Sequence, residues 1–167
     1  SSMLALAIMM GLYVASEVLI SSRLVFYIQK LNIMDEMMSK NLLTLFFLGL
    51  LAGRVLFTIY HFNIDSKKLL IFSMITSLIN SIIAIKFYPP LLALNGLTMS
   101  YFFPTAMDML GDHFHEHLDV IMARVFIGIG AIIFLVHWLF GTLTEHFGVS
   151  YSIWIVPLVI SMVLGLL

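Results

Sequence analysis

Cysteine is absent from the 167 residues. Without it there is no disulfide framework and no thiolate metal site, and the redox compartment leaves no trace. Charge is nearly as scarce: Lys and Arg number 8 and Asp and Glu 9, so charged residues make up 10% of the chain. A soluble domain carries about 25%. The net charge of −1 comes without any basic stripe, which argues against nucleic acid as a partner. What fills the chain instead is apolar, 62% of it. That leaves too little polar side-chain surface to cover a water-facing sphere. Length suggests one domain, and no stretch reads as a separate water-soluble module.

A hydrocarbon core of roughly 30 Å needs about 20 apolar residues at 1.5 Å per residue. Six runs are read as crossings, at about 3–28, 42–60, 69–85, 88–110, 120–143 and 149–167, each separated from the next by polar residues. Helices satisfy their own backbone groups over runs this long, whereas barrel strands would be about 10 residues with alternating polarity. The expected fold is all-α, a polytopic membrane bundle with lipid as its solvent. Short connectors predict antiparallel consecutive neighbours and both termini on one side. Basic residues divide almost evenly between the two sides, so charge alone does not orient the bundle. The first run lacks the basic n-region of a signal peptide and is too long and aromatic for one. It is read as mature structure, and its abrupt opening after two serines leads us to expect further sequence before it.

Ionic groups within a bilayer cost roughly 2.5–3.5 kcal/mol each on insertion scales, so those present need a partner, water or a task. Glu17 lies near the middle of the first run, in a stripe with Tyr13 and Ser21 at helical spacing. Two readings stay open. Glu17 lines a cavity and binds solute or a coupling cation, or it pairs with an arginine or asparagine of another helix and fixes the bundle. Arg23, about 120° around the helix from Glu17, is no intrahelical partner for it.

In the fourth run Asn95, Met99 and Phe102 share a face, and Pro104 should free a backbone carbonyl and kink the helix. Asn95 reads equally as a cavity group or an interhelical bond; Asp108 reads as a solvated end residue. In the fifth run Gly128, Gly130 and Gly141 read as packing devices that let helices approach closely. His137 is either a proton carrier, since a free imidazole titrates near pH 6.5, or a hydrogen-bonded packing residue. The third run shows Ser73, Thr76, Ser77 and Asn80 at helical spacing, read as an interhelical hydrogen-bond seam with a solute path as the alternative. His113 and His117 would share a helical face at a metal-like spacing. The order is not His-Glu-x-x-His and no third ligand is fixed, so they read as a solvated, pH-sensitive turn. The 12 methionines read as core filler rather than a copper path.

Three stretches taken in order resemble the C-terminal six helices of the major facilitator superfamily, in its fucose and hexose:proton symporter branch. Leu12-Tyr13-Val14-Ala15-Ser16-Glu17-Val18 is similar to the tyrosine-x-glycine-x-glutamate-valine pattern of that branch's seventh helix, with Ala15 and Ser16 as the small residues. Gly53-Arg54 with Lys68-Leu69-Leu70 is similar to the Gly-Arg and Lys-x-Leu signature around the eighth and ninth. Gly96-Leu97, Phe103-Pro104-Thr105 and Leu110-Gly111 are similar to the tenth. Gly141, Glu145 and Gly148 echo a glycine-acid-glycine pattern after the eleventh, with glutamate for aspartate.

The resemblance implies cytoplasmic termini in a plasma or bacterial inner membrane. It also implies a cavity lined by the first, second, fourth and fifth helices, with the third and sixth outside as supports. Tyr13, Glu17, Asn95, Phe102 and His137 then face solute, while Arg23, Gly53, Arg54, Pro104, Asp108 and the fifth-run glycines serve gating or structure. It implies a second six-helix half, N-terminal and not in this sequence, with solute bound near the midplane between the halves. The function expected is secondary active transport of a small polar solute, a sugar among the candidates, coupled to a proton or sodium gradient. No enzymatic activity, resident cofactor or metal is expected. The rivals are a six-helix scaffold, or a membrane enzyme or metal-handling protein built on the His113–His117 cluster.

Overall fold

A computed structural model describes residues 2–60, 63–114 and 118–167, and the described residues are helical throughout apart from turns and short connections. The long helices are α1 (Ser2–Lys30), α2 (Glu36–Ile59) and α3 (Ser66–Phe87). The fourth segment is built in pieces: a 3-10 helix over Pro89–Leu94, α4 (Asn95–Met99) and α5 (Phe102–His113). Then come α6 (Leu118–Phe147), α7 (Val149–Ser152) and α8 (Ile155–Leu166). Five stretches are long and apolar enough to cross a membrane, the last running through α7 and α8. The chain is a multi-pass membrane protein.

The helix ends follow local chemistry. Asp35 caps α2, its side chain accepting from Met38 N at 2.7 Å, and Asp65 caps α3 through Lys68 N at 3.4 Å. Each cap satisfies an orphan amide of the first turn. Gly148, at φ +82°, reverses the chain after α6 where an L side chain would be strained. Proline placement explains both interruptions. Proline has no N–H for the carbonyl four residues back and its ring collides with that carbonyl. Pro104 therefore breaks the fourth segment at Ser100–Tyr101, and Pro157 separates α7 from α8 at Ile153–Trp154. The kink expected at Pro104 is thus a full break, and the run read as 88–110 is no continuous helix.

α1 is the axis of the bundle. It packs against α6, α8, α2 and the pieces of the fourth segment, and Tyr13, Leu19, Leu24 and Ile28 on it are fully buried. α1 and α6 run parallel, with Gly11 against Ile132 and Gly128 beside Ala7. α2 and α4 also run parallel and approach most closely. A Cβ on Gly96 would overlap the Phe46 carbonyl oxygen, one on Gly53 would overlap the Ser100 side chain, and one on Gly49 would lie 2.9 Å from Leu97 N. The expectation that consecutive helices are neighbours fails at α2 and α3. The 3-10 helix and α4 wedge between them, packing on both. α2 and α6 keep apolar faces outward, with Leu45, Leu48, Leu51 and Val55 exposed on one and Phe126, Ile127, Phe134 and Leu135 on the other. Faces of this extent suit lipid.

Candidate functional site

The break at Ser100–Tyr101 lies where Glu17 and Arg54 come together. Around it, three consecutive main-chain carbonyls accept hydrogen bonds from three different helices. Thr98 C=O accepts from the Ser73 hydroxyl of α3 at 2.7 Å, Met99 C=O from the Tyr13 hydroxyl of α1 at 2.8 Å, and Ser100 C=O from Arg54 Nε of α2 at 3.4 Å. Ser100 C=O is the acceptor that Pro104 cannot serve, so the arginine stands in for the missing amide. A backbone acceptor left bare in a membrane interior costs several kcal/mol, which is reason enough for a neighbour to be supplied here.

The arginine in turn needs a counter-charge. Its Nη2 lies 3.6 Å from Glu17 Oε1, an ion pair rather than a hydrogen bond, and the other Glu17 oxygen faces the Tyr13 hydroxyl, whose single proton it shares with the Met99 carbonyl. Tyr13 and Glu17 stand one turn apart on α1, as their spacing predicts. The Tyr13 ring stacks on Phe102 at 4.2 Å between centroids and 16° between planes, which locks its hydroxyl toward the break. The Glu17 side chain is 18% exposed and that of Arg54 44%, so the pair is open at one end to whatever lies beside the bundle. Of the two readings of Glu17, pairing with an arginine of another helix is what the geometry displays. Its partial exposure leaves room for a ligand at the same carboxylate.

Other expected site residues are placed elsewhere. Asn95 does not face a shared cleft with Glu17. It is fully buried against α3, donating to Ser81 Oγ at 2.6 Å and accepting from Asn80, whose amide also donates to Leu91 C=O at 2.9 Å. It completes the seam that Ser73, Ser77 and Asn80 form with the fourth segment, Ser77 meeting Thr98 Oγ1 at 2.8 Å. His137 lies on α6, partly buried and apart from the Glu17–Arg54 pair. Arg23 faces the same helix, its guanidinium carbon 5.3 Å above the Phe140 ring, a cation–π contact worth about 0.5–2 kcal/mol. The fifth-run glycines are mostly not packing devices. Gly128 makes an ordinary contact with Ala7, whereas Cβ atoms on Gly130 and Gly141 would meet nothing within 4 Å. Asp108 is exposed as expected, but it stands in the middle of α5 rather than at a helix end. His113 ends α5, and His117 lies outside the described residues, as does the rest of that candidate cluster. Among the described residues, no three metal-ligating side chains converge.

A lateral cavity of about 740 Å³ opens between α2, α3 and the broken segment, bordered by Gly53, Lys68, Phe72, Thr76, Ser100 and Tyr101 among others. α3, expected outside as a support, forms one of its walls. Glu17, Asn95 and His137 do not line it; the three lie at three separate places. The close-packing glycines Gly49 and Gly96 were not expected in that role. The signal for the first was in view, since Gly49 and Gly53 form a small-xxx-small pair at i, i+4. No protein-family model matches the chain, and no curated protein matches it in sequence.

Proposed function

We propose that the chain is one six-helix half of a secondary active transporter of the major facilitator type, working by alternating access. The observation that supports this most is the discontinuous fourth segment, clasped at mid-bundle by Tyr13 and Arg54 with Glu17 behind them. Membrane transporters characteristically build solute and ion sites from interrupted helices, whose carbonyls and charged neighbours sit near the midplane at the interface of two repeats. Ionic residues within spans are costly, so a tyrosine, a glutamate and an arginine converging on a break favour such a site. The incomplete enclosure of Glu17 and Arg54 fits a pathway that a second six-helix half closes. In this reading a small polar solute crosses with a proton or sodium ion, both termini face the cytoplasm, and the fourth segment completes the sixth crossing. Glu17 exchanges its contacts with Tyr13 and Arg54 for contacts with solute or ion, which releases the break to move.

Uptake into proteoliposomes under an imposed proton or sodium gradient, with and without an N-terminal half, tests the assignment. Gradient-driven accumulation should fall at least tenfold in Glu17→Gln while the purified variant keeps its helical circular dichroism. Unchanged accumulation would remove Glu17 from the mechanism and leave the clasp a fixed structural device. A well-folded bundle with no flux in any pairing would sink the transporter assignment itself.

A further inference from the structure

Arg23 and His137 meet across the interface of α1 and α6, on the flank of α1 that the clasp does not use. The two helices are parallel, and the pairings of Ala7 with Gly128 and Gly11 with Ile132 set their register. By that register Arg23 leaves α1 at about the level of Thr144. Its guanidinium nevertheless lies over Phe140, a turn closer to the middle of the bundle. Helical side chains lean toward their own N-terminus, which permits this direction. A solitary arginine near the end of a span ordinarily turns the other way and snorkels to the interface. Water lies close by: α1 ends at Lys30, about 10 Å further along. Arg23 instead buries its Nε against α6, while the residue as a whole stays partly exposed.

What it turns toward is unsatisfied. His137 stands one turn before Phe140 on the same face of α6, beside the ring that the Arg23 guanidinium covers. Arg23 Nε and His137 Nε2 are both buried, and among the described residues neither has a hydrogen-bond partner. Arginine only donates, so Arg23 Nε is a buried donor without an acceptor, and His137 Nε2 is a second unpartnered nitrogen that donates in the tautomer protonated there. The chain supplies no acceptor nearby. Glu17 is engaged by Arg54 and Tyr13. Glu145, the α6 acid beyond Phe140, is exposed and more than a turn away. Among the described residues no carboxylate comes within ion-pair distance of Arg23.

We infer that Arg23 and His137 are the recognition site for an oxyanion carried by the transported solute, so that the solute is a small carboxylate or a chemically similar anion rather than a neutral sugar. This rests on the transporter reading above and names the substrate class of that pathway. The planar guanidinium offers a carboxylate two parallel N–H donors, and the Phe140 ring beneath fixes the plane of the fork. With its proton on Nε2, His137 supplies a third donor from the opposite helix. A bound anion therefore bridges α1 and α6 and satisfies both orphaned nitrogens at once.

The test uses the purified chain in nanodiscs of phosphatidylcholine and measures equilibrium binding by calorimetry. Two matched pairs serve as probes, lactate against propane-1,2-diol and glucuronate against glucose, with inorganic phosphate as a third anion. The expected result is a preference of tenfold or more for the anion in at least one pair. That preference should shrink to less than twofold in Arg23→Gln and fall five- to tenfold in His137→Leu. Arg23→Lys keeps the charge without the fork and should lose at least threefold with an unchanged melting temperature, so the site stays testable if the glutamine variant folds poorly. Indifference across both pairs with phosphate also unbound overturns the assignment, and so does a preference that survives both Arg23→Lys and His137→Leu. Competition by added phosphatidylglycerol would reassign the oxyanion to a lipid headgroup and overturn the solute assignment. Binding needs no movement across a membrane, so anion binding without gradient-driven uptake removes the transporter reading alone. Uptake of the neutral member with no anion binding removes this inference alone.

Discussion

The two flanks of α1 treat their polar groups in opposite ways. On the side of α2 and α4, Tyr13, Glu17 and Arg54 interlock with the Met99 and Ser100 carbonyls, and each partner answers the need of another. On the side of α6, Arg23 and His137 hold buried nitrogens that nothing among the described residues accepts from. Both flanks are closely packed: the first borders a seam of glycines drawn into backbone contact, and on the second a Cβ on Gly11 would overlap the Ile132 side chain. A membrane interior penalises unpaired polar atoms on either side alike. The closed flank therefore reads as the part that sets the architecture, and the open flank as the part kept in readiness for something that arrives later.

Substitutions at the seam should separate the flanks most sharply. Gly96→Ala forces a methyl group into the Phe46 carbonyl, a backbone atom that cannot rotate away, and should cost about 3 kcal/mol or more. Gly130→Ala should change stability by less than about 0.5 kcal/mol. Thermal unfolding in a mild detergent compares the two, and equal losses would mean that the seam is not where the bundle is held.

A smaller effect is expected from the clasp itself. Arg54→Ala leaves Glu17 without its cation and Ser100 without its donor. Because the arginine is nearly half exposed, solvent recovers part of the loss, and about 1–2 kcal/mol should remain. Tyr13→Phe removes the hydroxyl that joins Glu17 to the Met99 carbonyl and should fall in the same range, about 1–2 kcal/mol. The smallest change belongs to Arg23→Gln. Losing a cation–π contact is offset by losing an unsatisfied buried donor, so the melting midpoint should move by less than the equivalent of about 1 kcal/mol. If Arg23→Gln unfolds as readily as Arg54→Ala, the contrast between a closed and an open flank is lost.

Much of the architecture was legible because insertion into lipid and hydrophobic run length are the same physics. The apolar runs at 3–28, 69–85 and 120–143 sit inside α1, α3 and α6. α3 starts ahead of its run because its first turn is set by the Asp65 cap, which is polar and escapes a count of oily residues, and Asp35 does the same for α2. Pro104 announced a freed carbonyl, and the position of the break followed from it. The partners did not, since nothing local says that Arg54 and Tyr13, 50 and 91 residues earlier in the numbering, will reach it. Asn95 shows the limit from the other direction. Its polarity in a span was correctly suspicious, but helical spacing cannot tell which neighbour a face meets, and α3 took it. Glu17 stood between these cases, because its need for a counter-ion was readable and the identity of that ion was not.

The order of synthesis gives the broken segment a further consequence. A helix interrupted by proline enters lipid with bare acceptors, and it does so most safely beside donors already in place. Chains emerge from the ribosome N-terminus first, so Tyr13, Arg54 and Ser73 are all made before Pro104. The earlier helices can thus act as a mould during biogenesis, receiving the fractured one as it leaves the translocon. A circular permutation that moved the fractured helix ahead of its donors would be expected to strand it during insertion, even though the finished molecule would contain the same contacts.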